Sequence, residues 1–289
     1  MYDEILLPFD GSDGAAKALY HTAEIAQWAD AKIRILFVAD TTRDSLTVVE
    51  TQVVDALVQQ GESIVGEAEK TLETLGVDHH SDVVQGNPAP TIVEYADRYG
   101  YDLIVMPTHG REGISRYLLG SVTEKVVRLS SVPVLTARMH PEEQLQFPYE
   151  RILVPTDGSD AAVTAAEHGL SLAESLDATV HVLSVVDNSS PALDMNPIGS
   201  GKQSTQAATD AVSDIVSRAE GRGISNTVSH VEQGSPGELI YEHVEADDIH
   251  AVVMGTTGRR GSERILLGSV AEKTVRSAPV PVITIGPGN

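Results

Sequence analysis

Residues 149–160 read YERILVPTDGSD, and residues 2–13 read YDEILLPFDGSD. Each stretch opens on a short apolar run that ends at proline. Each then passes through Asp-Gly-Ser into an alanine-rich segment, 13–29 or 160–176, whose apolar residues recur at helical spacing. A buried strand, a tight turn and an amphipathic helix are the reading that fits all three parts. One such unit starts an α/β domain, and two of them start two.

The repetition continues outward in the same order, at an offset of 147 or 148. ILFVAD at 35–40 matches VLSVVD at 182–187, and VVQGNPAP at 83–90 matches HVEQGSPGE at 230–238. PTHGREGISRYLLGSV at 107–122 matches GTTGRRGSERILLGSV at 255–270, and SVPVLTA at 131–137 matches PVPVITI at 279–285. The chain therefore holds two homologous domains, expected at 1–138 and 149–289, joined near the polar stretch RMHPEEQLQFPY. Within each half, β-branched strands alternate with helices. Helices are expected at about 47–75, 88–99 and 121–129 in the first half, and at 204–222, 236–246 and 269–277 in the second. The further strands are DVV or TVSHV, DLIVM or AVVM, and PVLTA or PVITI. Alternation of this kind predicts an α/β fold. Each domain is expected to be a five-stranded parallel sheet, order 3-2-1-4-5, with helices on both faces. The last strands, 133–137 and 281–285, would be sheet edges. Pairing through them would make the chain an intramolecular pseudo-dimer, with a homodimer of whole chains as a further option.

Composition narrows the function. Forty-two acidic and twenty basic residues give a net charge of −22 over 289 residues, with no cysteine. Disulfides, thiolate metal sites and a cysteine nucleophile are excluded. No cationic cluster could displace phosphate counterions, so nucleic acid is not expected as a partner. No apolar run reaches the length of a membrane helix, so no membrane partner is expected. The opening MYDEILLPFD carries no basic segment ahead of its apolar run, and the expected compartment is the cytoplasm. The acidity fits either a protein adapted to high salt or an ordinary acidic cytosolic surface.

In an open parallel sheet, ligands bind beyond the carboxyl ends of the strands where strand order reverses, here between strands 1 and 4. Gly255, Gly258 and Gly268-Ser269 lie in the loop after strand 4 of the second half. Glycine lets backbone approach a ligand, and a Gly-Ser entering a helix offers amides, a hydroxyl and the positive dipole end. Arg259 and Arg260 add cationic charge. An anion site results, most simply for phosphate. The plain alternative is that the glycines serve turns and Ser269 caps a helix. Asp10 and Asp157, just after strand 1, could accept hydrogen bonds from a ribose or cap the following helix, a task that suits Ser12 and Ser159. Val38 and Val185, ending strand 2, could line an adenine slot or be core valines.

The element order, the Asp after strand 1 and the spacing G-x2-G-x9-G-[ST] after strand 4 resemble the universal stress protein family in its tandem form. The resemblance covers nearly the whole chain. It implies a nucleotide-binding stress-response regulator rather than an enzyme. The implied ligand is ATP or another adenine nucleotide, with Mg2+ or Mn2+, and the implied partners are proteins that the sequence does not identify. Asp157 and the backbone of Val185 would hold adenosine. Gly255, Gly258, Gly268 and Ser269 would hold ribose and phosphates. In the first half the matching positions are Asp10, Val38, Gly110, Gly120 and Ser121, with Arg111 and Arg116 nearby. Pro107 stands where the first glycine belongs. It has no N–H and a fixed φ, so the first site is expected to bind more weakly than the second. A slow ATP hydrolase and a nucleotide-free scaffold are the alternatives; no dedicated base is apparent beside the loop.

Other features resolve more simply. PIGSGKQST at 197–205 fails the phosphate-loop pattern at Asn196 and Gln203, and reads as a flexible loop. His79, His80, His21 and His168 lack zinc-like companions and read as surface or packing residues. Trp28 reads as helix-face packing.

Overall fold

The structure is a computed structural model that describes residues 1–41, 50–109, 119–138, 145–187, 200–258 and 267–286. It divides into two compact units, Met1–Phe147 and Pro148–Asn289.

The first unit runs β1 (Glu4–Pro8), α1 (Asp13–Ala29), β2 (Lys32–Asp40), α2 (Glu50–Leu75), β3 (His79–Gly86), α3 (Pro88–Tyr99), β4 (Leu103–Pro107), α4 (Ser121–Leu129) and β5 (Val134–Ala137). Its strands order as β3-β2-β1-β4-β5. The second unit runs β6 (Arg151–Pro155), α5 (Asp160–Leu176), β7 (Thr179–Val186), α6 (Ser200–Gly221), β8 (Thr227–Gln233), α7 (Pro236–Ala246), β9 (Ala251–Gly255), α8 (Ser269–Ser277) and β10 (Val282–Ile285). Its order is β8-β7-β6-β9-β10. The strand pairs within each unit are parallel, so each sheet has the 3-2-1-4-5 order that the sequence predicts.

The central strands are buried on both faces, because crossover helices cover both sides of a parallel sheet. Ile5, Leu6, Leu7, Ile152, Leu153, Val154, Val252 and Val253 have no exposed surface. Helix starts follow local chemistry. Ser12 accepts a hydrogen bond from the Ala15 amide (3.1 Å) and Ser159 from the Ala162 amide (3.3 Å), capping α1 and α5. Pro88 and Pro236 stand at the first positions of α3 and α7, where a missing N–H costs nothing. Trp28 packs edge-on against Phe147, ring centroids 5.7 Å apart, and His21 does the same at 6.1 Å. His21 is buried, which settles it as a packing residue.

Two segments differ from the sequence reading. Helix α6 begins at Ser200, so residues 200–205 of the suspected loop are helical. Strand β3 covers His79–Gly86 rather than the short DVV run, because its ladder with β2 extends from Ile33↔His79 to Asp40↔Gly86. Residues 47–49, expected in the long helix, lie outside the described residues.

Burial pushes the His168 imidazole on α5 down to about 4. Its folded value lies below that of the unfolded chain, near 6.5, so the unfolded state takes up the proton first. Stability is then lost as pH falls from about 6.5 to about 4. His181, His230 and His250 shift the same way. His168→Leu should give a shallower fall of unfolding free energy between pH 7 and pH 5 than the unsubstituted chain. Urea melts at the two pH values measure it, and parallel curves would count against this role.

Candidate functional site

Strands β6 and β9 pair only through Ile152↔Ala251 and Leu153↔Val252, then part toward their carboxyl ends. Strands β1 and β4 do the same after Ile5↔Leu103 and Leu6↔Ile104. Each unit thus opens a crevice at its switch point, where an open α/β sheet takes its ligand.

The wall from β6 is a turn built by side chains. The Thr156 amide donates to Leu183 O (2.8 Å), and the Gly158 amide donates to Thr156 Oγ1 (3.1 Å). Asp157 Oδ1 accepts from the Ser159 amide at 3.0 Å, and Asp10 Oδ1 accepts from Ser12 in the same way at 3.0 Å. Gly11 and Gly158 take φ of 77° and 74°, a left-handed conformation that makes glycine the natural residue in Asp-Gly-Ser. Ser12 and Ser159 cap the helices, while Asp10 and Asp157 brace the turns from the crevice side of the caps.

The wall from β9 is the loop toward α8. The Thr256 amide donates to Ile285 O (3.0 Å), and the Gly268 amide donates back to Thr256 O (2.7 Å), closing the loop at its neck. Thr108 and Gly120 repeat this, with bonds of 3.0 Å to Ala137 O and 2.8 Å from the Gly120 amide to Thr108 O. Gly120 and Gly268 are the N-caps of α4 and α8, and neither has a side-chain capping bond. Ser121 and Ser269 are the first helical residues and are exposed, so the plain reading of Ser269 as a cap is not what the structure contains. The first-turn amides begin at the carboxyl edge of the sheet without a side-chain acceptor at the N-cap, which leaves a positive helix end there.

The two walls meet at Asp157 and Gly258. A Cβ added to Gly258 would lie 2.6 Å from Asp157 Oδ2, so the carboxylate rests against bare backbone. Val38 and Val185 lie on β2 and β7 two residues beyond the last partners of β1 and β6, Leu36 and Leu183. Both are half-buried, so they are not core valines. The structure thus brings Asp157, Val185, Gly255, Gly258, Gly268 and Ser269 to one crevice edge, and Asp10, Val38, Gly120 and Ser121 to the other. Gly110, Arg111, Arg116, Arg259 and Arg260 lie outside the described residues.

Pro107 does not disturb its strand. It stays in register with Ala137, as Gly255 does with Ile285. Gly255 adopts ordinary strand backbone without a positive φ, so conformational freedom is not what distinguishes the two. The N–H is. Ile104 and Thr108 donate to Pro133 and Ala137 on the β5 side, and Val252 and Thr256 donate to Pro281 and Ile285 on the β10 side. Strand alternation turns positions 107 and 255 the other way, toward the crevice. Gly255 offers an amide there and Pro107 does not.

Space is exchanged as well. A Cβ at Gly255 would meet Ala161 O at 2.9 Å and Ala161 Cβ at 3.3 Å. In the first unit the partner is Gly14, whose added Cβ would meet Pro107 Cβ at 3.2 Å and His109 O at 2.8 Å. One unit pairs alanine with glycine, the other glycine with proline. Neither Gly14 nor Ala161 stands out in the sequence alone. The available signal is that 14/161 and 107/255 change size in opposite senses.

The universal stress protein family profile matches residues 1–138 and again 148–286. The chain belongs to the universal stress protein family. Relatives include a universal stress protein of Methanocaldococcus jannaschii, 34% identical over 146 residues, covering 50% of this chain and 86% of the relative. Another, from Methanothermobacter thermautotrophicus, is 34% identical over 143 residues, covering 48% and 97%. A crystal structure of a universal stress protein from Archaeoglobus fulgidus superposes with a TM-score of 0.77 over 99% of this chain and 97% of that one. At 23% identity, that likeness speaks for the fold. Universal stress proteins are stress-response proteins. No described helix of this one is long and apolar enough to cross a membrane.

Proposed function

We propose that this universal stress protein is a cytoplasmic, adenine-nucleotide-binding regulator. It binds ATP tightly in the second unit and more weakly in the first. The observation that carries this reading is the meeting of Asp157 with the bare backbone of Gly258 across the crevice, a cradle that any Cβ would fill. Asp157 accepts hydrogen bonds from the ribose hydroxyls, and the Val185 backbone holds the adenine edge. Gly255, Gly258 and Ser269 present amides and a hydroxyl to the phosphates at the positive end of α8, while Gly268, whose own amide is held by Thr256 O, keeps the backbone bare where the phosphates approach. Mg2+ or Mn2+ would ride on the phosphates, supplying charge neutralisation when bound. In the first unit, Asp10, Val38, Gly110, Gly120 and Ser121 take the same roles, without an amide at Pro107.

The ATP-bound state is read out by protein partners, and the bound nucleotide is held rather than hydrolysed. Hydrolysis needs a group that orients water and others that stabilise the leaving phosphate. In this reading the Asp157 carboxylate serves the ribose hydroxyls and the Ser159 amide rather than an attacking water. Native mass spectrometry of the purified chain tests the reading. Retained ATP is the expected result. Rapid ADP release would indicate a hydrolase, and a chain that takes up no nucleotide would indicate a scaffold.

A further inference from the structure

A second cluster lies in the second unit, away from the crevice. It joins His181 on β7, His230 and Glu232 on β8, and His243 and Asp247 at the end of α7. His230 Nε2 lies 3.4 Å from His181 Nδ1. Asp247 Oδ2 lies 3.7 Å from His181 Nδ1 and 3.9 Å from His230 Nε2. A point equidistant from three atoms with these separations lies about 2.1 Å from each, the length of a zinc–imidazole or zinc–carboxylate bond. Contraction by a few tenths of an ångström brings the separations to the tetrahedral edge, about 3.3–3.5 Å for such bonds.

The surroundings orient these donors. His243 Nδ1 hydrogen-bonds to Asp247 Oδ2 at 2.6 Å, and its Nε2 to Glu232 Oε1 at 2.9 Å. With a carboxylate on each nitrogen, His243 acts as a double donor that fixes Asp247, the arrangement that commonly steadies a metal ligand from behind. The His181 and His230 rings stack nearly parallel, 12° apart with centroids at 5.6 Å, which holds the two imidazoles side by side. His181 is buried, while Asp247 is half-exposed, leaving one side for water as a fourth ligand.

The first unit is an internal control. Leu6↔Arg34 and Leu153↔His181 are equivalent register positions, as are Leu36↔Asp82 and Leu183↔His230. There Arg34 Nη1 pairs with Asp82 Oδ2 at 3.0 Å, and the Tyr95 hydroxyl also donates to Asp82. That network carries its own cation. At the same place the second unit replaces arginine and aspartate with two imidazoles, and Tyr99 with Asp247.

We propose that His181, His230 and Asp247 form a binding site for a divalent first-row transition metal of the zinc class, with His243 and Glu232 as supporting residues. Two imidazoles and a carboxylate suit such an ion better than Mg2+ or Ca2+, which favour oxygen donors. The ion would tie the edge strand β8 to β7 and to the end of α7, so binding stabilises the second unit.

The test uses the full chain, stripped with a chelator, and Zn2+ as the probe. Calorimetry should show one zinc per chain, with a rise in the melting midpoint. His230→Gln and the near-isosteric Asp247→Asn should each weaken zinc by more than about tenfold, and His243→Gln by about ten- to a hundredfold with stoichiometry kept. Co2+ in place of zinc should give the visible absorption of a four-coordinate ion, lost in Asp247→Asn. If His230→Gln does not fold, Asp247→Asn decides alone. Absence of stoichiometric zinc, or zinc affinity unchanged in folded Asp247→Asn, would overturn the proposal.

Discussion

Gly255→Pro should weaken ATP binding in the second unit by about ten- to a hundredfold and lower its melting midpoint as well. The two losses have different causes. The affinity falls because the amide that Gly255 turns toward the crevice is gone. A hydrogen bond to a charged group contributes roughly 1.5–3 kcal/mol, which sets that range. The midpoint falls because a Cβ at 255 meets Ala161 O at 2.9 Å and Ala161 Cβ at 3.3 Å. Overpacking of this kind costs about 1–3 kcal/mol, or roughly 2–10 °C in a domain of this size. Adding Ala161→Gly recreates the pairing that Gly14 and Pro107 already use, so most of the midpoint should return while the affinity stays low. Thermal melts and calorimetry on the single and double variants separate the effects. If ATP affinity recovers together with the midpoint, the 255 amide is not a ligand to the nucleotide.

Gly258→Val should remove tight ATP binding in the second unit altogether. Its Cβ would fall 2.6 Å from Asp157 Oδ2, so the carboxylate must swing away from the place where it meets the ribose. Losing two charge-assisted hydrogen bonds at once lowers affinity by more than about a hundredfold. The central strands lie elsewhere, and the midpoint should change little. Calorimetry reads the loss, and affinity within a few-fold of the original would count against Asp157 as the ribose acceptor.

Much of this was legible in the residues because local chemistry sets it. Helices α1, α3, α4, α5, α7 and α8 begin and end where the sequence places them, since Ser12, Ser159, Pro88 and Pro236 mark starts by capping or by fixed φ. The edge strand β3 was harder. HHSDVVQG has little apolar alternation, and its extent is dictated by the ladder with β2. The start of α6 at Ser200 was hidden because Gly-Lys-Gln-Ser resembles a loop. At the crevice, Asp157 and the glycines could be named from strand ends and spacing. The Gly14–Pro107 and Ala161–Gly255 exchanges could not, because residues about 93 positions apart meet only in three dimensions. The imidazole cluster has the same character, since its ligands come from two strands and a helix end with no common spacing.

At positions 107 and 255 the two crevices differ by one amide, and that amide sets the difference in their affinity for ATP. Calorimetric titration of ATP into the unsubstituted chain addresses it most directly, alongside Pro107→Gly. The expected isotherm has one tight site and one weaker by about ten- to a hundredfold, and Pro107→Gly tightens only the weak one. Two sites of equal affinity in the unsubstituted chain would contradict it.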